Sequence, residues 1–315
     1  MKTITRQEYD LIVAARSEGL TLLPPGVYEK DLLVTDVLRN IAHADSGDIG
    51  LVFCGGTCLF KAHGLIERMS EDVDFKLVVP LGLSRSGRKR ALSQFKKHMI
   101  TVFEQAGYRV PLDQIVARDE NSYICMNLQY ESQFTAVASL RTEIKVEFSA
   151  RAPELPTVPL PVSSMLTRLI QRPSDTHWHI SCISVEETLA EKVLSFLRRT
   201  AEARAGRNRG DYDDRLVRHL YDVTLIGQSH RDFEQARKHF LKLVLGDAAQ
   251  FRNQFPEFEQ DPLGQLQLAL NALHQQPASF ERDYSRFVDE LIFGQKLSFD
   301  QARAEFCRLA HVLLR

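Results

Sequence analysis

Two aspartates, Asp72 and Asp74, stand in the stretch Asp72-Val73-Asp74-Phe75-Lys76-Leu77-Val78-Val79. Acidic and apolar residues alternate there before the stretch turns apolar. That is strand behaviour, with Asp72 and Asp74 on one face and Val73 and Phe75 on the other. Carboxylates at i and i+2 of a strand lie roughly 6.5–7 Å apart at Cα. Held so, they can share one divalent ion and bracket a second. Mg²⁺ favours sparse carboxylate sites because water and phosphate complete its shell. A two-metal site clamps the attacking and leaving oxygens of phosphoryl transfer. Upstream, Gly55-Gly56-Thr57 falls between an apolar run, Ile49–Phe53, and a helix-like segment reaching about Ile66. Glycines at such a turn let backbone approach a ligand, and N–H groups at a helix start are ready to bind phosphate. A further acidic stretch, Glu143-Ile144-Lys145-Val146-Glu147-Phe148, puts Glu143, Lys145 and Glu147 on one strand face. Glu147 is a candidate third metal ligand, or the group that takes a proton from an attacking hydroxyl.

These residues must be positioned by the elements around them. Helical spacing runs through 4–18 and 28–43, and a basic amphipathic helix is expected over 88–107. Strands are expected at 122–130 and 141–149, and the proline-rich 150–162 reads as a loop or an edge segment. Ser184-Val185-Glu186-Glu187 forms a capping-box pattern, after which four or more amphipathic helices run to Arg315. The reading is an α+β protein, with a mixed α/β domain over 1–183 and an all-helical domain over 184–315. In the first of those helices, Thr188, Lys192, Ser195 and Arg199 share a face beside an apolar face of Val185, Leu189, Val193 and Phe196. Lys192 near a metal site would neutralise triphosphate charge as it develops; otherwise it is a solvated lysine paired to Glu187 or Glu191. Arg218 and Asp222, one helical turn apart, either position Lys192 or form a plain i,i+4 ion pair.

Composition excludes several classes. The 315 residues carry 40 Lys+Arg against 41 Asp+Glu, a net charge of −1, so any nucleic-acid contact must use local basic patches. Two are present. Lys76, Arg85, Arg88, Lys89, Arg90, Lys96 and Lys97 fall in a stretch without acidic residues, and Arg198, Arg199, Arg204, Arg207 and Arg209 form a second cluster. No run approaches the ~18 consecutive apolar residues of a membrane span. The polar N-terminal stretch lacks a secretory apolar region. Five scattered cysteines are expected as reduced thiols in a cytoplasmic protein. His177-Trp178-His179 with Cys182 reads as a structural strand, Cys54 and Cys58 as buried thiols, and Gly206–Gly210 as a flexible loop.

The run Gly55–Phe75 resembles motif I of the AbiEii/AbiGii-type, MenT-like nucleotidyltransferase toxins, a branch of the DNA polymerase β-like superfamily. Its matching residues are Gly55-Gly56-Thr57, Lys61 and Arg68-Met69-Ser70-Glu71-Asp72-Val73-Asp74. Glu29-Lys30-Asp31 resembles the family's N-terminal helix, Ser184–Arg198 its Glu-Lys helix, and Arg218–Val223 its Arg-[Asp or His]-x-Tyr-Asp-Leu segment. Together the blocks span roughly 28–225. Glu147 stands where Asp is more usual, and Val223 where Leu is. The resemblance implies a polymerase β-like domain that transfers NMP from an NTP with Mg²⁺ or Mn²⁺. In it Asp72, Asp74 and Glu147 hold metal, and Lys192 neutralises phosphate. Gly55, Gly56, Thr57, Lys61, Arg68, Ser70, Arg218 and Asp222 serve the nucleotide. It further implies an RNA acceptor, the tRNA 3′ end, bound through 76–97 and 198–209. The setting would be a toxin–antitoxin or phage-defence pair with a separately encoded antitoxin. The alternatives are a non-catalytic RNA- or partner-binding module and a nucleotidyltransferase acting on a protein hydroxyl.

Overall fold

The computed structural model describes residues 1–171, 178–207, 213–230, 232–275 and 277–315; His177, Arg209 and most of the Gly206–Gly210 loop lie outside them. The chain divides into two compact units, Met1–Gly64 with Met69–Ile183, and Leu65–Arg68 with Ser184–Arg315.

In the first unit, α1 (Arg6–Ser17), α2 (Pro25–His43), β1 (Gly50–Cys54), α3 (Gly55–Lys61), β2 (Val73–Val78) and α4 (Arg85–Gln105) follow one another. Then come β3 (Val116–Arg118), β4 (Tyr123–Gln129), β5 (Glu143–Ser149), β6 (Val158–Pro161), α5 (Met165–Leu169) and β7 (His179–Cys182). The strands form one mixed sheet in the order β3-β4-β5-β2-β1-β7-β6. β2 runs parallel to β5 and β1 to β7, while the other pairs are antiparallel. The proline-rich stretch supplies the edge strand β6, where a missing N–H breaks no ladder on the open side. α3 is shorter than the sequence suggested. It ends at Lys61, the Ala62 N–H closes on the Cys58 carbonyl, and Gly64 lies in the left-handed region at φ +66°.

Register is fixed by alternation. Phe75 pairs with Phe53 on β1 and with Phe148 on β5. Their rings form a ladder at 5.4 and 5.8 Å, closed by Phe95 edge-on to Phe148 at 5.1 Å. The neighbouring positions on the opposite sheet face are Asp74 and Glu147, which are also paired in register. A slip of one residue would drive the phenylalanines out and the carboxylates into the core. The same hydrophobic pattern that folds the sheet thus places the acids on one surface.

Behind the sheet, α2 buries three consecutive charges, Glu29, Lys30 and Asp31. Glu29 accepts from Ser132 Oγ and the Gln133 N–H. Lys30 donates to the Arg141 and Glu143 carbonyls and lies 3.6 Å from Glu71. Asp31 takes Lys61 Nζ at 2.5 Å and the Met165 N–H at 2.6 Å, and Thr35 also accepts from Lys61. Removing one member of a buried ion pair strands the other charge. Lys61→Met is therefore expected to lower stability by about 3–5 kcal/mol, read as a shifted urea midpoint at unchanged slope. A loss below about 1 kcal/mol would show that Asp31 is satisfied without Lys61.

The second unit is helical: α6 (Val185–Arg204), α7 (Arg218–Ser229), α8 (Glu234–Phe251), α9 (Pro256–Gln260), α10 (Pro262–Gln275), α11 (Pro277–Leu291) and α12 (Phe299–Leu314). Ser184 caps α6, its Oγ accepting from the Glu187 N–H at 3.1 Å. Phe196 packs on Phe306 and Phe280, and Tyr284 on Phe287 and Phe299. The short segment Leu65–Arg68 is built into this unit: Arg68 bridges to Ile292, and the Glu67 carbonyl accepts from the Phe293 and Gly294 N–H groups. Among the described residues no helix is long and apolar enough to cross a membrane. Among the described residues no disulfide forms, and all five cysteines are buried.

Candidate active site

The glycine bend meets the aspartates directly. Gly55 opens α3 at φ +79°, a conformation that costs an L-residue about 1–2 kcal/mol. A Cβ there would overlap the Asp74 carboxylate, whose Cγ would lie 3.1 Å away. Glycine at 55 is thus required twice, by backbone and by space. Thr57, fully buried, points its hydroxyl at Ser70 Oγ (2.8 Å) and at the Asp72 carbonyl. The residue expected to cradle phosphate instead ties α3 to the backbone that carries Asp72.

One strand over, Glu147 accepts hydrogen bonds from the Tyr123 phenol and from Lys145 Nζ, the latter at 2.8 Å. Burial and then Glu147 push the Tyr123 phenol well above its ordinary range, so it stays a donor. Burial would lower Lys145, but Glu147 and, behind it, Asp72 outweigh burial and raise it. Cys125, paired with Glu147 across β4–β5, is raised by burial, then by Glu147 and more weakly by Asp72. Asp72, Lys145, Glu147 and Cys125 therefore share one electrostatic neighbourhood. Asp72 itself pairs with Arg141 Nη1 at 2.6 Å.

The donor chemistry suits a hard divalent cation in part. Asp72 and Asp74 offer carboxylate oxygens of the kind Mg²⁺ takes sparingly, leaving room for water and phosphate. The expected third ligand does not join them. Among the described residues no three His, Cys, Asp or Glu groups converge as a metal cluster. Tyr123 and Lys145 hold the Glu147 carboxylate, whose strand position is in register with Asp74.

In the helical unit, Arg68 Nε and Nη2 grip the two oxygens of Asp222 at 2.7 and 2.8 Å, and Lys192 Nζ reaches Asp222 Oδ2 at 2.6 Å. All three side chains are buried. Burial alone would raise the Asp222 carboxyl, but Arg68 and then Lys192 hold it well below the usual carboxylate range. Burial lowers Lys192, with Asp222 opposing. His219 is driven well below the ordinary histidine range by burial, then by Lys192 and Arg218, and so stays neutral. Asp222 thus pairs with both Lys192 and Arg68. Arg68 and Asp222 are corrected from nucleotide contacts to buried supports. Lys61 is corrected likewise, because its ammonium lies against Asp31.

Tyr123, Lys145 and Arg141 escaped sequence reasoning. Lys145 was visible as a same-face neighbour of Glu147, and Arg141 falls on the same alternation at the start of the expected strand 141–149, which in the structure begins only at Glu143. The basic stretches also change. Lys76 is buried in β2 and leaves the first patch, while Arg85, Lys89, Arg90 and Lys97 are exposed on α4. In the second patch Arg198 is buried, pairs with Asp247 and Glu202 and stacks on Phe251. Arg199 pairs with Asp213, and Arg207 with Glu257.

The first unit thus carries a Gly-Gly bend against an Asp-x-Asp strand, and the helical unit a buried Lys–Asp–Arg cluster. Residues 36–305 match the family described as nucleotidyl transferase AbiEii toxin, type IV TA system, and the chain belongs to that family. It is a nucleotidyltransferase toxin of a type IV toxin–antitoxin system, a class whose members have a separate antitoxin and use an NTP. The fold is similar to that of MenT4, the nucleotidyltransferase toxin Rv2826c from Mycobacterium tuberculosis H37Rv, with TM-score 0.50, 17% identity and 97% of each chain covered. An antigenic nucleotidyltransferase-like protein from Paracoccidioides brasiliensis aligns over 92% of this chain and 95% of its own, with 14% identity and TM-score 0.35, too distant for a structural argument. No curated protein matches the sequence.

Proposed function

We propose that this protein transfers a nucleoside monophosphate from an NTP to an RNA hydroxyl, the 3′ end of tRNA, with Mg²⁺ or Mn²⁺. The observation that carries the reading is the apposition of Gly55 and Asp74, which leaves a carboxylate and bare backbone side by side. A divalent ion held by Asp72 and Asp74 would supply Lewis-acid activation at the transferred phosphate. Gly55 and Gly56 let the triphosphate approach main chain, and Ser70 adds a hydroxyl. Lys192, paired with Asp222 and with Arg218 in its electrostatic surroundings, is the candidate cation for the triphosphate charge. The acceptor oxygen bonds to the α-phosphorus, the bond to the β-phosphate oxygen breaks, and pyrophosphate leaves. Glu147 takes the hydroxyl proton. Exposed cations of α4 favour a polyanionic acceptor, whose binding would weaken steeply with salt.

The test is incubation of the purified protein with each of the four α-labelled NTPs, Mg²⁺ or Mn²⁺, and total tRNA. Label in RNA from at least one NTP, abolished by EDTA, is the expected result. Label in protein alone would replace the RNA acceptor with a protein one. No transfer from any NTP would overturn the reading.

A further inference from the structure

The main chain of Arg141 is fixed on both sides by buried charge. Its N–H donates to Glu71 Oε2 at 2.9 Å, and its carbonyl accepts from Lys30 Nζ at 2.9 Å. Lys30 also binds the Glu143 carbonyl at 2.6 Å. Both Lys30 and Glu71 are buried. The side chain leaving this clamp is 35% exposed and rests through Nη1 on Asp72 Oδ1, while Asp72 is 16% exposed. A plain surface ion pair needs no such foundation, since pairs of this exposure contribute little to stability. The arrangement fixes where the guanidinium starts and leaves its end able to move. The planar fork of arginine suits phosphate oxygens, which it can grip with two parallel hydrogen bonds.

We infer that Arg141 is a triphosphate-binding residue that rests on Asp72 until a divalent cation takes that carboxylate. Cation and guanidinium compete for Asp72; the displaced guanidinium then binds the phosphates that arrive with the cation. This rests on the reading of Asp72 as a cation ligand. It makes a signature that a merely structural arginine lacks, because one substitution shifts two affinities in opposite directions. Without Arg141, the cation should bind more tightly and the triphosphate less tightly.

The experiment uses the full chain and two probes that need no knowledge of the natural NTP. Mn²⁺ alone is titrated by electron paramagnetic resonance, and inorganic tripolyphosphate with saturating Mn²⁺ by calorimetry. For Arg141→Gln the Mn²⁺ Kd is expected to fall about fivefold to tenfold, and the tripolyphosphate Kd to rise by about tenfold, for one charge lost in a half-exposed setting. Arg141→Lys keeps the charge and is expected to hold Mn²⁺ affinity near wild type while losing part of the tripolyphosphate affinity. It keeps the test decisive if the glutamine variant folds poorly. An unchanged or weakened Mn²⁺ affinity in Arg141→Gln, or equal tripolyphosphate affinity, overturns the inference. If wild type transfers label while Arg141→Gln leaves both affinities alone, the inference fails and the nucleotidyl-transfer reading stands. If wild type transfers nothing yet both affinities shift as stated, that reading of the reaction fails and the exchange at Asp72 stands.

Discussion

Asp222→Ala is expected to destabilise the protein by about 3–5 kcal/mol, because it removes the carboxylate that pairs two buried cations. Arg68 holds both carboxylate oxygens and Lys192 one of them, all within a buried cluster. Chemical denaturation monitored by circular dichroism measures the loss. Adding Arg68→Met and Lys192→Met to Asp222→Ala should recover much of it, since an apolar cluster has no stranded charge. The pH dependence follows from the direction of the shift. The folded-state carboxyl of Asp222 lies below its unfolded value, so its contribution is complete above that value and is lost as pH falls beneath about 4. Asp222→Asn should flatten that acid limb of the stability profile. A loss under 1 kcal/mol on removing Asp222, or an unaltered acid limb, would mean the three charges are solvated rather than interdependent.

Gly55→Ala is expected to reduce transfer by on the order of 10²-fold, the scale of roughly 1 Å misplacement of a catalytic group. The added methyl collides with the Asp74 carboxylate, and the left-handed backbone adds strain of about 1–2 kcal/mol. Asp74→Asn keeps the space but removes the charge and should cost on the order of 10³-fold, with the urea midpoint little changed. Rates at saturating NTP alongside denaturation curves separate the two effects. A Gly55→Ala protein with wild-type turnover would sink the argument that the bend exists to hold Asp74.

Much of the sheet was legible because its signal is local. Phe75 and Phe148 alternate with Asp74 and Glu147, and a period of two assigns faces without knowledge of partners. Ser184 announced the start of α6 in the same way. What sequence misjudged was the use of polar residues. Thr57, Lys61 and Arg68 fall at motif positions, yet their partners are Asp72, Asp31 and Asp222, and the last is 154 residues away. A motif records residue type and spacing; whether a side chain turns inward depends on long-range partners that no window of sequence contains. The short strand β3 was missed for a related reason, since its exposed Val116-Ala117-Arg118 has no apolar face to give a period. The early end of α3 depended on Gly64, whose left-handed conformation is a matter of context.

The three buried charges of α2 bear on how this toxin can change over evolutionary time. Successive helix positions point about 100° apart, so Glu29, Lys30 and Asp31 fan outward toward three different stretches of chain. Point substitutions can break those tethers singly. A codon gained or lost within the turns just before them would rotate the whole fan and sever all three together. Drift in length is therefore confined to the surrounding loops, and the helix is a fixed ruler against which the rest of the first unit is measured.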